Sequence, residues 1–161
     1  MDQEERGHSE HPQALRLWLR MLTCTQLVEK QVRTQLREQF DITLPRFDLM
    51  AQLERHPDGL KMNDLSRRMM VTGGNVTGIT DLLVTDGLVV RVAVEDDRRA
   101  YRIKLTTRGR SVFNEMAQQH EAWIVAAFEP LSPREVDALH KLLGKVKQHH
   151  NARRLEKTES I

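Results

Sequence analysis

"RRMMVTGGNVTGITDLLVTDGLVVR", residues 67–91, starts as a helix and then places Gly73, Gly74 and Gly78 within six residues. A glycine inside a helix costs about 0.5–1 kcal/mol relative to alanine, so a helix that opens this way gives up stability in its first turns. Val76, Ile79 and Leu83 nevertheless share one face, and Gly87 stands where a left-handed residue closes a helix. The segment before it, "LKMNDLSRRMM" (60–70), sets Met62, Leu65 and Met69 on one side and Ser66, Arg67 and Arg68 on another. That spacing predicts a second helix, and the two together predict a helix–turn–helix.

After Gly87 the period changes. "LVVRVAV" (88–94) and "AYRIKL" (100–105) are rich in β-branched residues, and Tyr101, Ile103 and Leu105 alternate with Ala100, Arg102 and Lys104. Between them Glu95, Asp96, Asp97, Arg98 and Arg99 read as a charged hairpin tip. Two strands against a helix–turn–helix predict a winged helix. The predicted fold is therefore mainly α, a winged helix-turn-helix with a two-stranded β wing and long N- and C-terminal helices.

Outward from this centre the helical period returns. Leu15, Trp18, Met21, Leu22, Val28, Val32 and Leu36 predict one long amphipathic helix from Pro12 to about Phe40. Thr43 and Pro45 open a shorter helix bearing Phe47, Met50 and Leu53, which His56-Pro57-Asp58-Gly59 ends. Thr106 or Thr107 caps a fifth helix carrying Val112, Met116, Trp123 and Phe128. Ser132, Pro133 and Glu135 form a capping box for a sixth, continued by Val136, Leu139, Leu143 and Val146. One domain over 12–150 is expected, with a winged lobe at 44–106 between helical regions 12–40 and 107–150. Polar tails at 1–11 and 151–161 are expected to fray.

Composition narrows the function classes. Of 161 residues, 39% are hydrophobic, enough to fill a core, and 30% are charged with only 4% aromatic. No apolar run approaches bilayer length, the first residues are polar, and the single cysteine cannot form an internal disulfide. A cytoplasmic protein without membrane contact is expected. The net charge of +2 favours no partner, but residues 61–110 hold ten Lys/Arg against six acids, which focuses positive charge on the centre of the chain.

Three readings of the glycines compete. A phosphate loop would need a Gly-Lys-Ser/Thr sequence after a strand, and "TGGNVTG" (72–78) offers neither the lysine nor the strand. A turn between packed helices needs nothing further. The third reading uses the setting: the first residues of the second helix in a helix–turn–helix face base edges, while backbone amides there meet phosphate. Without side chains, Gly73, Gly74 and Gly78 would let the backbone approach DNA closely. Thr72, Asn75, Thr77 and Thr80 remain as polar readers, and an amide such as that of Asn75 can pair with adenine. Arg98, Arg99 and Arg102 on or beside the wing would add a second contact in the minor groove or on phosphate, with Asp97 orienting the Arg99 guanidinium.

The stretch "DRRAYRIKLTTRG" (97–109) resembles the signature of the MarR family of winged-helix transcription regulators: Asp-x-Arg, five residues, Leu-Thr, and a glycine three residues after the threonine. "LSRRMMVTGGNVTGITDLLVTDGLVVR" (65–91) is similar to that family's helix–turn–helix followed by Gly-Leu-Val at the first wing strand. The likeness runs from about residue 12 to 150. It implies a homodimer held by the first, fifth and sixth helices, a pseudo-palindromic operator in double-stranded DNA, and repression relieved by a small ligand. Family recognition helices often carry Arg or Lys where Gly73 and Gly78 stand here. The departure shifts base reading to Thr72, Asn75 and Thr77, and backbone contacts to Arg67 or Arg68. "LRLWLRMLTCTQLVE" (15–29) and "LPRFDLMAQLERHPDGL" (44–60) look most like the branch that senses hydroxycinnamates or their coenzyme A thioesters. The resemblance implies a pocket between the first, second and fifth helices. Its candidates are Trp18 for stacking, Arg16, Arg20 or Arg46 for an anion, and His120 or Trp123 from the fifth helix; as ordinary side chains the tryptophans would be core.

Other chemistry finds little support. Cys24 lies mid-helix between two threonines without a neighbouring cation, so a buried structural thiol is expected over a redox switch. The seven histidines show no metal-ligand spacing, and no nucleophile motif occurs. No cofactor, metal or catalytic residue is assigned. The rivals to a ligand-released regulator are a redox sensor acting through Cys24 and a helical dimerisation module without DNA binding.

Overall fold

The computed structural model describes residues 10–69, 73–95 and 97–159; of the side chains of residues 73, 74, 97–99 and 159 nothing is said. Among the described residues are six helices and three strands, α1 (Pro12–Phe40), α2 (Leu44–Glu54), β1 (Leu60–Lys61), α3 (Met62–Met69), α4 (Gly73–Thr85), β2 (Val89–Val94), β3 (Asp97–Leu105), α5 (Thr107–Ala127) and α6 (Pro133–Glu159). The chain divides into two compact units, Met1–Glu121 and Ala122–Ile161.

In the first unit, α2, α3 and α4 gather over a small antiparallel sheet of order β1-β3-β2. The wing therefore has three strands, not the expected two. Leu60 pairs with Ile103 and Lys61 with Arg102. Two residues are too few to show an alternation, so only the pairing reveals the strand. Gly59 makes it possible: its φ is +86°, and a Cβ there would lie 2.6 Å from the Ile103 carbonyl oxygen. β3 also begins earlier than expected, at Asp97, opposite Val94 across a register irregularity. The backbone of Arg98 and Arg99 thus belongs to a strand rather than to the tip.

The core is built from the predicted faces. Leu36 of α1, Met50 and Leu53 of α2, Leu65 of α3, Val76 and Leu83 of α4 and Ile103 of β3 are fully buried. Only the C-terminal end of α1 contributes, through Val32 and Leu36. Trp18, near the other end, is 55% exposed and is not a core residue.

Thr106 settles the start of α5. Its hydroxyl accepts the Gly109 N–H at 2.9 Å and donates to the Gly87 carbonyl at 2.8 Å, while its own N–H donates to the Leu88 carbonyl. One residue caps the helix and ties it to the turn where α4 ends. Gly87 takes the expected left-handed conformation, φ +72°.

The second unit holds the end of α5 and all of α6. The capping box forms in both directions: the Glu135 N–H donates to Ser132 Oγ at 3.2 Å and the Ser132 N–H to Glu135 Oε2 at 2.8 Å. α6 continues through Glu159, past the point where the polar tail was expected to fray. Among the described residues of this unit none is buried, and Val136, Leu139, Leu143 and Val146 leave an apolar stripe uncovered.

Candidate nucleic-acid interface

α4 is amphipathic: its buried face is ordinary, and its open face is small and polar from Asn75 to Gly78, with Leu82 exposed further along. Val76, Ile79, Thr80 and Leu83 point into the first unit, and Asn75, Thr77 and Gly78 are exposed. A Cβ added at Gly78 would meet nothing within 4 Å, so the protein itself has no steric need for glycine at this position. Thr80 is a correction to the expected set of readers. It is fully buried, with its hydroxyl 3.9 Å from Met62 Sδ, and faces away from any ligand outside. Thr72 lies outside the described residues; Gly73 and Gly74 form the first turn of α4.

α3 presents the basic side of the same surface. Arg67 and Arg68 are exposed, and Arg67 forms an ion pair with Asp64 one turn away. Between the two helices lies an open groove of about 560 Å³ lined by Met62, Asn63, Ser66, Arg67 and Thr77. Asn63 was not singled out from sequence, and Ser66 only as part of the polar side of α3; the approach of α3 to α4 sets both beside Thr77.

The wing is tied to α4 by a contact that sequence spacing does not suggest. Arg91 on β2 forms an ion pair with Asp81 on the exposed side of α4, and its guanidinium lies 5.6 Å from the Tyr101 ring centre on β3. The cation bridges helix and sheet, with the ring as a third partner. The backbone of Asp97, Arg98 and Arg99 runs in β3, and the proposed Asp97–Arg99 ion pair falls on side chains outside the description.

The six candidates for a small-molecule pocket come from α1, α2 and α5. Arg16, Trp18 and Arg20 are exposed along the first turns of α1. Arg46 is half-buried and reaches Asp86, just beyond α4, at 3.6 Å. The His120 ring lies 4.8 Å from that of Phe47, which also stacks on Phe113 at 5.5 Å. Burial holds the His120 pKa below 6.5, opposed by the charge of Asp48; burial raises the Asp48 carboxyl, opposed by His120 and Arg33. Trp123 is half-buried in the second unit. Cys24 is exposed, against the expectation of a buried thiol. Among the described residues no group of three His, Cys, Asp or Glu is placed to hold a metal, and no helix is long and apolar enough to cross a membrane.

Comparison with known proteins places this geometry. The model of the MarR family matches residues 40–100, from the end of α1 to the wing. The crystal structure of a MarR family transcriptional regulator from Silicibacter pomeroyi is 34% identical, with 88% of this chain and 99% of that one covered at a TM-score of 0.72. The chain belongs to the MarR family. A curated relative, the HTH-type transcriptional repressor YetL of Bacillus subtilis, is 33% identical over 60% of this chain and 58% of its own length. Across three curated relatives the chain spans between 58% and 68% of the relative's length. MepR of S. aureus, solved in complex with DNA, is 25% identical, covers 83% of this chain and 96% of its own, and superposes with a TM-score of 0.70. Seen as a MarR protein, the chain carries its signature residues as joints: Leu105 is core, Thr106 is the cap, and Gly109 packs its bare Cα against Leu88.

Proposed function

We propose that the chain is a sequence-specific DNA-binding transcriptional regulator of the MarR kind, acting as a homodimer on a pseudo-palindromic operator, as a repressor, and released by a small aromatic acid or its coenzyme A thioester. One observation carries the DNA reading. The outward face of α4 offers Asn75 and Thr77 beside a glycine whose missing side chain serves no packing inside the protein. A helix that forgoes stability there gains close approach of its backbone to a ligand, and the major groove is the ligand that fits a helix. Thr72, Gly73 and Gly74 would extend the reading face, Arg67 and Arg68 would hold phosphates, and Arg98 and Arg99 would reach from the wing, positioned by Asp97.

The dimer is supported by the bare stripe on α6. Four aliphatic residues at spacings of three and four make a helix seam, and an uncovered seam of this kind is rare on a monomer. Repression follows the name of YetL and the simplest physics, in which a bound dimer excludes polymerase. The aromatic effector follows the resemblance of residues 15–29 and 44–60, with Arg16, Trp18, Arg20, Arg46, His120 and Trp123 as its candidate contacts. A ligand needs only to prefer the non-binding spacing of the two reading heads, and each tenfold preference is worth about 1.4 kcal/mol. The exposure of Cys24 supports a second reading, release by peroxide, which the Cys24→Ser variant tests by keeping or losing that response.

Affinity for DNA from the protein's own upstream region, measured over a salt series with random DNA as competitor, tests the proposal. Specific binding whose log K falls by about 0.9 per phosphate neutralised is expected. Gly78→Ala sharpens the test: the variant should gain about 0.5–1 kcal/mol of stability from helix propensity and lose operator affinity. Undiminished affinity would take Gly78 out of the interface, and no binding to any DNA would leave a dimerisation module.

A further inference from the structure

α6 changes character along one face. Val136, Leu139, Leu143 and Val146 step along it at intervals of three and four, and His150, Arg153, Arg154 and Lys157 continue the same steps. The apolar stripe thus gives way to a basic one on the same side. From Lys145 to Lys157 the helix carries five Lys/Arg and two histidines against one acid, Glu156. His150, Arg153, Arg154 and Lys157 are all exposed, and among the described residues these four line an open depression of about 410 Å³.

Two ordinary reasons for such a grouping fall short. Bases at the end of a helix favour its dipole, but that effect is confined to the last turn, where Lys157 stands. Ion pairs with neighbouring acids would be the other reason. The first half of α6 forms one, Lys141 to Asp137 at 2.8 Å, whereas Lys147, Arg153, Arg154 and Lys157 form none among the described residues. Like charges three and four residues apart repel, so the helix gives up stability to hold this face. Cations do not bury in an apolar seam without acids to meet them. A surface covered over 136–146 therefore ends where the basic one begins.

The chemistry of the partner follows from what the face lacks. It is lined by α6 alone and has no apolar wall, so it does not enclose a small ligand. From Lys147 to Glu159 only Ala152 and Leu155 are apolar, too little to hold a helix in a membrane surface. Its bases are spread along about 10 Å of helix axis, which suits a line of negative charge. Duplex DNA presents about one charge per 1.7 Å of its axis, and a guanidinium can take a phosphate with two parallel hydrogen bonds.

We propose that the basic end of α6 is a second nucleic-acid contact, gripping the phosphate backbone of duplex DNA without reading its sequence. Arg153 and Arg154 make the main contacts, with His150 and Lys157 on either side of them. The face belongs to the second unit, whereas α3 and α4 belong to the first, so one subunit holds two basic surfaces with different tasks. The contact does not rest on the reading of an operator by α4. It adds affinity for any duplex and leaves the choice between duplexes to base contacts.

Affinity of the full chain for a random-sequence duplex and for one from its own upstream region, measured over a salt series, tests the contact. The double variant Arg153→Gln/Arg154→Gln should flatten the slope of log K against log salt by about 0.9 for each arginine, on both duplexes alike. Arg134→Gln, at the start of the same helix, should leave both slopes unchanged. Sedimentation and helical signal of the double variant should match the parent, which separates a lost contact from a lost dimer. Should the double variant dissociate, Lys157→Gln, farther from the seam, gives the same readout with a slope change of about 0.9. A parent that binds both duplexes equally, with slopes that answer to these variants, upholds the contact and fails only the regulator reading. Operator-specific binding with slopes indifferent to them overturns the contact and leaves the regulator standing. The contact is also overturned if the variants keep their slopes on DNA but lose binding to polyglutamate or to phosphatidylserine vesicles, which would make the face a dock for an acidic protein or a membrane. Absence of binding to either duplex overturns both readings.

Discussion

At Gly109 the absence of a side chain is a packing requirement of the fold. A Cβ there would stand 1.9 Å from the Leu88 carbonyl oxygen, the acceptor that also receives the Thr106 N–H. Gly109→Ala must push the first turn of α5 off the wing, and a loss of about 1–3 kcal/mol or more in denaturant unfolding is expected. Gly78, in open space, should behave in the opposite way, which separates a glycine kept for the fold from one kept for a partner. His120 makes a prediction in pH. Burial lowers its pKa, so between the folded value and 6.5 the unfolded chain holds a proton that the folded chain does not. The stability from this group is fully present above 6.5 and is lost as pH falls through the folded value. Asp48 works the other way in its own window above 3.8, where the folded chain holds the extra proton and stability declines as pH rises. His120→Gln should flatten the dependence of the urea midpoint just below pH 6.5 and, by removing an opposing cation, raise the Asp48 pKa further. An unchanged midpoint profile would show that His120 titrates alike in both states.

Elements differ in how locally they are determined. α6 begins where a reciprocal capping box says it must, and the box needs only four consecutive residues. Ser132→Ala should cost about 0.5–2 kcal/mol, seen as a lower thermal midpoint for the loss of helical signal. The starts of α1, α2, α5 and α6, the alternation in β3 and the left-handed Gly87 were all legible for the same reason: short-range sterics and hydrogen bonds decide them. β1 was not legible, because its two residues gain strand character only from a partner more than forty positions away. The ties between elements were hidden in the same way. Asp81 and Arg91 are ten residues apart and on different kinds of structure, so no periodic pattern links them. Being exposed, this pair is worth about 0.2–1 kcal/mol at most, and its service is to fix the wing against α4.

For the whole molecule the decisive feature is the seam on α6. A single chain leaves Val136, Leu139, Leu143 and Val146 in water, and burying apolar surface is worth about 25 cal/mol per Å². Leu143→Asp, which places a charge in the middle of the stripe, should shift sedimentation from dimer to monomer. Operator affinity should fall with it by far more than an interface mutation in one half-site would cause, since two linked reading heads bind with an effective concentration that separate ones lack. A variant that stays dimeric would locate the interface elsewhere.

The sequence by itself determined the order of the helices, most of their starts, the apolar face of α4 and the signature that marks the wing, because periodicity and capping act over a few residues. Tertiary structure alone decided that Thr80 is core, that Trp18 and Cys24 are exposed, and that a third strand joins the wing. Each of these depends on which segments, distant along the chain, come to lie side by side. A side chain's neighbours across the fold are set by the packing of whole elements, and no window of local sequence contains them.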